Sequence, residues 1–463
     1  MGRRDRAQVD SGQVSAAGTS AQRTLRIPRV PTDVGSGALI IGSLVGLIAA
    51  VFGLAGVVAL FGVIAAVLGV VLWPGVVFAA YLLLPFYKGF VNPYVPVDLT
   101  VVLAVLNGMQ LIWVALGGWR HIRREPVILW LALTLVIVAG AAYAPSQGEA
   151  VPLVAEWVAL IVFPSCAALR IASGSGHVRQ VIFAIFAMGL LVILLGVPRI
   201  GGEARVVVLQ MNTIQVAVAA LFVPIIAVAV ARGTAWGVAI LALVPLSIVV
   251  AVGTGSRGPL LAATGVALGV GVLHLARGGG VDRRAAGVVA VLGIGAAIAF
   301  AAVGRLPDAS IARYLTLAEI VSAPAGAAGG SSVGVRSDLF GAALRIFLER
   351  PLLGNGTGAF AFHAGGTVGL TDLPYPHNIL LHAAADLGLV GLALVSVLVI
   401  SALLRRLPPG RPWMAVRLTF AFLFLESLVS GDLYSERMLW GLLALLVFAP
   451  VTSGSWLGQE RGG

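Results

Sequence analysis

Residues 336–391 read RSDLFGAALRIFLERPLLGNGTGAFAFHAGGTVGLTDLPYPHNILLHAAADLGLVG, a polar island in an otherwise apolar chain. The island holds Arg336, Asp338, Arg345, Glu349, Arg350, His363, Asp372, His377 and His382, together with the glycine-rich turn 354–358. Across all 463 residues, 59% are hydrophobic, only 11% are charged, and the mean hydropathy is +1.03. A soluble chain of this length needs far more surface charge, so the composition is that of a polytopic membrane protein. When such a protein gathers its polar residues into one long loop, the loop is where function is expected.

Working outward from the island, apolar runs of spanning length occur at 126–144, 152–171, 180–198, 206–231, 236–253, 259–276 and 285–303 before it. After it they occur at 379–403, 414–431 and 438–450. Upstream, 99–116 is a further run, closed by the basic cluster Arg120, His121, Arg123 and Arg124. The stretch 35–87 has room for three short helices, with Pro74 as one break. The expected fold is an all-α, polytopic helical bundle of about 12–14 transmembrane helices with one long loop containing short helices. The expected organisation is a disordered cytoplasmic tail over 1–35, N-terminal transmembrane helices over 36–303, and a functional loop over 304–378. C-terminal transmembrane helices follow over 379–450, then a cytoplasmic tail over 451–463. The first 35 residues are polar and Arg-bearing, without the short apolar core and cleavage site of a signal peptide.

Lys and Arg counts orient the chain. With three spans before Lys88 and the N-terminus inside, 20 of the 30 basic residues fall on one face and 10 on the other. Both termini are then cytoplasmic and the long loop is extracytoplasmic. The net charge of +11 is accounted for by these topology signals and by contact with membrane lipids, so no nucleic-acid partner is expected. The lone Cys166 permits neither an internal disulfide nor a cysteine metal site.

The outer-face arginines are the informative exceptions. Arg205 opens an apolar run, Arg257 lies in the turn GTGSRGPLL between two, and Arg336 begins the island. A single arginine at a helix mouth can merely snorkel to headgroups. Several on the disfavoured face, beside a polar loop, point to an anionic ligand. His377 stands where the loop re-enters the membrane and suits proton transfer near neutral pH, the alternative being a structural histidine. Asn378 beside it suits a helix cap. The turn at Gly354 and Gly356 is a weak phosphate-cradle signal, since such glycines usually just make a turn. The chain has no HExxH, no Cys/His metal spacing and no Asp-rich cluster, so no metal or other cofactor is expected. A bound diphosphate would then be neutralised by the paired donors of arginine.

In this order the segments resemble the O-antigen ligase and polymerase family of bacterial membrane glycosyltransferases. Arg205 with Asn212, the Ser256-Arg257-Gly258 turn, Arg336 followed by ERPLLGNGTGAF, and YPHNILLHAAADLGLVG are similar to the family's ordered motifs over about residues 200–400. Asp386 stands where the family usually has Glu, and the Asn212 segment lacks the family's following Pro-Asn. The resemblance implies a GT-C-like fold in the bacterial cytoplasmic (inner) membrane. It also implies an enzyme that passes a glycan from an undecaprenyl diphosphate carrier to an acceptor hydroxyl on the outer face, with inversion. The implied partners are a lipid-linked oligosaccharide or polysaccharide donor and a glycan or lipid acceptor. Arg205, Arg257 and Arg336 would hold the diphosphate, and His377 and Arg257 would act in catalysis. Asn212, Asn378, Gly354, Gly356 and Tyr375 would support them.

A polymerase shares these motifs. A flippase or transporter would instead carry charges near the bilayer midplane and repeat symmetry between halves, whereas the intramembrane charges here are few, Glu156 and Glu426. A sensor or scaffold would leave the arginine and histidine set without a role. The charge count predicts that a reporter at the C-terminus reads cytoplasmic and one near Gly329 reads extracytoplasmic; both on one face would overturn the topology.

Overall fold

The computed structural model describes residues 68–95, 97–116, 124–200, 205–230, 235–276, 310, 332–367 and 375–450. The expected tails, the basic residues 120–123, the run 285–303, Asp372 and most of the stretch 35–87 lie outside the described residues. Those described belong to one compact unit and contain helices and no strand.

In chain order the helices are α1 Pro74–Leu82, α2 Leu84–Val91, α3 Leu99–Gly108, α4 Leu111–Ala115, α5 Arg124–Ala142, α6 Gln147–Glu156, α7 Phe163–Ala172 and α8 Ser175–Gly196. Then come α9 Thr213–Val230, α10 Ala235–Gly253, α11 Arg257–Ala276, α12 Ser332–Glu349, α13 Ala359–Thr367, α14 Ile379–Leu404, α15 Arg411–Ser430 and α16 Arg437–Val447. Six helices among the described residues are long and apolar enough to cross a membrane, or seven if the pair α1–α2, bent by 77°, forms one broken span. The loop between α11 and α14 contains α12 and α13, as its composition suggested.

The helix α9 is apolar all round and 72% of its spanning window is buried, as expected of a bundle's central helix. It packs against α8, α10, α11 and α15. One departure from the sequence reading lies at its start. The apolar run 206–231 suggests a helix from its first residue, yet the helix begins at Thr213. Leu209 and Gln210 have φ of 51° and 57°, which turns the chain. Asn212 and Gln215 then exchange backbone-to-side-chain hydrogen bonds of 3.1 and 2.8 Å, a reciprocal cap that fixes the helix start.

The same core extends between α6–α7 and their neighbours. A π-helical segment, Trp157–Val162, joins α6 to α7, and Trp157 meets Trp440 edge-on at 5.0 Å, which meets Trp130 at 5.8 Å. Both buried indoles that donate find acceptors, Trp157 at Thr134 and Trp440 at the Leu433 carbonyl.

The loop is fastened to α14 at a break in that helix. Gly388 has φ 65° and ψ −160°, a conformation essentially confined to glycine. The break frees backbone N–H groups that apolar surroundings cannot satisfy. The turn after α12 supplies the acceptors: Leu389 donates to the Pro351 carbonyl at 2.7 Å and Val390 to Leu352 at 3.2 Å. In return Asn355 donates to Ala385 and Gly356 to Asp386. Asp386, fully buried, accepts from the backbone N–H of Gly358 and of Phe360 and from the Tyr434 hydroxyl, each at 2.8 Å. Its carboxylate thus sits at the positive end of α13.

A Cβ at Gly388 would collide with the Leu352 carbonyl and the Gly354 nitrogen. Gly388→Ala is therefore expected to lose roughly 1–3 kcal/mol from backbone conformation alone, and more from the collision. Thermal unfolding in detergent measures this, with Gly341→Ala, a helical position in open space, as the control that should melt no lower than wild type. Equal melting of the Gly388→Ala and wild-type proteins would show that the turn does not lock the break.

Candidate active site

The three arginines singled out in the sequence line one cavity of about 390 Å³, with Thr213, Ser256 and Ser430 among its other walls. Each arrives from a helix end. Arg205 precedes the capped start of α9, Arg257 is the first residue of α11, and Arg336 lies in the opening turns of α12. Arg257 and Arg336 stand at the positive, N-terminal ends of their helices, where cation and free N–H groups together favour an anion.

Local sequence fixes Arg205 in place. Its Nε donates to the Thr254 carbonyl at 2.6 Å and its Nη2 to the Thr213 hydroxyl at 2.7 Å. Gly255 turns the chain with φ 68°, and a Cβ there would press on Ser310 and on Arg205 Nε. Thr254 donates its hydroxyl back to Ala251 and accepts from the Ser256 N–H, so the turn before Arg257 is closed by its own side chains. Asn212 is occupied with the cap of α9 and is not among the cavity's lining residues.

His377 is not among the cavity's lining residues; it lies next to Ser430 and within reach of the Arg336 charge. Its φ of 57° is uncommon for a non-glycine residue and is the kind of strain that collects at functional sites. Asn378, the next residue, caps α14 by accepting from Leu380 and Leu381 N–H at 3.0 Å, and its Nδ2 donates to the Leu428 carbonyl at 2.9 Å. The loop is thereby pinned to α15 at the histidine. Tyr375 packs edge-on against the His377 ring at 4.5 Å. The imidazole hydrogen-bonds the Ser430 backbone, while its Nδ1 is buried with no hydrogen-bond partner. A ring whose N–H is held by a carbonyl leaves the other nitrogen as a lone-pair base. Burial first, and the Arg336 charge second, hold His377 below the ordinary histidine range. It is therefore neutral at pH 7.

The glycines make a turn, the usual use of such residues. Gly354 donates its N–H to Arg350 and Gly356 to Asp386, and Gly358 donates to the Asp386 carboxylate. These donors are spent on the fold.

Three residues that sequence reasoning left without a role complete the picture. Glu426, buried in α15, hydrogen-bonds Ser430 and faces Arg336. Ser430 Oγ also lies 3.5 Å from Arg336 Nη2, so one hydroxyl stands between carboxylate and guanidinium. Asp432, just beyond α15, is 3.1 Å from His382 Nδ1 and acts on the charge of His377. The signal for Glu426 was present, since a lone acid in a spanning run is a functional mark; Ser430 and Asp432 carried none.

Comparison with known families gives one match. Residues 241–396 match the O-antigen ligase family, a segment that contains Arg257, Arg336, Tyr375, His377 and Asn378 and stops short of Arg205 and Asn212. No curated protein matches the chain.

The geometry predicts a pH signature. Activity that needs neutral His377 is lost as pH falls through its pKa, so the acid limb of turnover should lie below about pH 6.5, the ordinary histidine value. Arg336→Gln removes one of the charges that depress that pKa, so the limb should move to higher pH when turnover is measured at saturating donor. A limb that stays put would separate His377 from Arg336.

Proposed function

We propose that this chain, whose residues 241–396 are an O-antigen ligase-type segment, is a membrane glycosyltransferase of the bacterial cytoplasmic membrane. It takes a glycan from a polyprenyl diphosphate carrier and passes it to an acceptor hydroxyl on the outer face. Both termini are cytoplasmic, and the loop over 304–378 faces outward. The observation that carries this reading is the convergence of Arg205, Arg257 and Arg336 on one cavity, with His377 next to two of the lining residues, Arg336 and Ser430.

The chemistry follows from those groups. The acceptor hydroxyl gives its proton to His377 Nδ1 as its oxygen attacks the anomeric carbon. The bond from that carbon to the phosphate oxygen breaks, and the diphosphate leaves with the electron pair. Charge grows on the leaving oxygen, and guanidinium groups already fixed in place stabilise it without reorganising at that moment. Arg205, held from two sides by Thr254 and Thr213, offers such a fixed charge. Arg257 and Arg336 supply paired donors that match phosphate oxygens. Three cations gathered on one diphosphate make a metal-free design coherent.

The test is donor binding and single-turnover transfer measured on the same folded samples in detergent. Arg257→Ala and Arg336→Ala should each remove charge-assisted hydrogen bonds of roughly 1.5–3 kcal/mol, weakening binding or rate by about 10- to 150-fold. Lysine at either position should rescue only in part. His377→Ala should leave donor binding intact and slow turnover by about 10²- to 10⁴-fold. Transfer should continue in strong chelator. Wild-type turnover by folded His377→Ala protein would remove the base, and loss of transfer in chelator restored by Mg²⁺ would remove the metal-free scheme. Supplying either a free glycan acceptor or a second lipid-linked glycan in the same assay separates ligase from polymerase.

A further inference from the structure

The opposite end of α12 carries a second surface that the transfer reaction does not use. One face of the helix, Leu339, Ala342, Ala343 and Ile346, packs on Phe360 of α13 and Ala385 of α14. The other face is bare. Leu344 and Leu348, one turn apart, are exposed, and the row continues past the helix end to Leu352 and Leu353; these last three are 64%, 67% and 60% exposed. Arg345 and Arg350 are exposed beside this row, with Glu349 the one acid among them. A cavity of about 460 Å³ opens there, lined by Tyr143, Arg350 and the turn 351–354.

The level of this surface is fixed by Tyr143. That tyrosine directly follows α5, a 19-residue helix long and apolar enough to cross a bilayer. A tyrosine just past the end of a spanning helix belongs at the boundary between hydrocarbon and headgroups. Its hydroxyl donates to the Leu353 carbonyl at 2.6 Å, so the turn is bolted to the same depth. At that depth leucine side chains face acyl chains and arginines face phosphates, the arrangement of an interfacial helix.

We propose that the C-terminal half of α12 and the turn after it form a membrane-surface foot, and that the cavity between Tyr143 and Arg350 takes the phosphate of an anionic phospholipid. The leucine row would dip among the acyl chains, and Arg350 would hold the headgroup. An attracted basic residue at an anionic surface changes binding by about fivefold.

The test uses the full-length protein in nanodiscs of phosphatidylcholine with or without phosphatidylglycerol. In a Cys166→Ser background, Leu348→Cys carries an environment-sensitive fluorophore. Nitroxide-bearing lipids should quench it, most strongly with the nitroxide near the headgroup, and iodide in the water should quench it weakly. Native mass spectrometry should find phosphatidylglycerol retained by the wild-type protein and about fivefold less by Arg350→Gln. Free quenching by iodide with none from lipid would place the foot in water and overturn the proposal. Protection from both quenchers would mean that protein covers the row, whether a second copy, another partner or a further part of this chain, and would overturn it equally. Equal retention of phosphatidylglycerol by wild type and Arg350→Gln would remove the phosphate site.

Discussion

The Asp386 carboxylate is the interaction on which the rest of the loop depends. It is fully buried, and it accepts from two backbone N–H groups at the start of α13 and from the Tyr434 hydroxyl. A buried carboxylate is stable only when its oxygens are satisfied, and removing one partner of such a group typically costs about 3–5 kcal/mol. Those donors come from two separate places in the chain: the glycine turn where it runs into α13, and the link between α15 and α16. Satisfying one side chain therefore draws both to α14.

The consequence reaches the cavity through two residues of α14. His382, one turn before Asp386, lies 3.5 Å from it and 3.1 Å from Asp432, so it bridges the helix break to the link after α15. One turn earlier again, Asn378 caps the helix and ties it to Leu428. His377 is held in its left-handed conformation between these anchors and Tyr375. Strain at one residue persists when the neighbours on both sides are fixed. The first turns of one helix thus carry the loop's fastening and directly follow the proposed base.

What the sequence made legible was chemistry carried by residue type and order. Arg205, Arg257 and Arg336 were visible because arginine is rare in apolar sequence. Their meeting in one cavity needed the fold, since 131 residues separate the first from the last. The spanning runs were legible to within a few residues wherever hydropathy alone decides, as at α10 and α14. They failed at residues 205–212, where apolar side chains sit on a turn and a cap. There the Asn212-x-x-Gln215 spacing held the boundary signal, and hydropathy does not read it. A turn was the usual meaning of the glycines at 354–358, and φ is positive at Gly354, Gly356 and Gly358. What the sequence did not show is the partner: the N–H groups of Gly356 and Gly358 bind Asp386, more than 25 residues away.

The helix α12 joins two levels of the molecule. Arg336 near its start lines the cavity, and Arg350 just past its end lies at the depth of Tyr143. Fourteen residues of helix rise about 21 Å. A rigid rod of that length, packed on α13 and α14 along one face, transmits position without needing to bend. In the proposed reaction the donor is confined to the bilayer plane, so the membrane would set the height at which its diphosphate meets the protein. An arginine that must meet it has to be held at that height. Fixing one end of α12 against the bilayer surface and the other beside Ser430 would do so, because a shift at the foot would move Arg336 relative to Arg205 and Arg257, which stand on other helices.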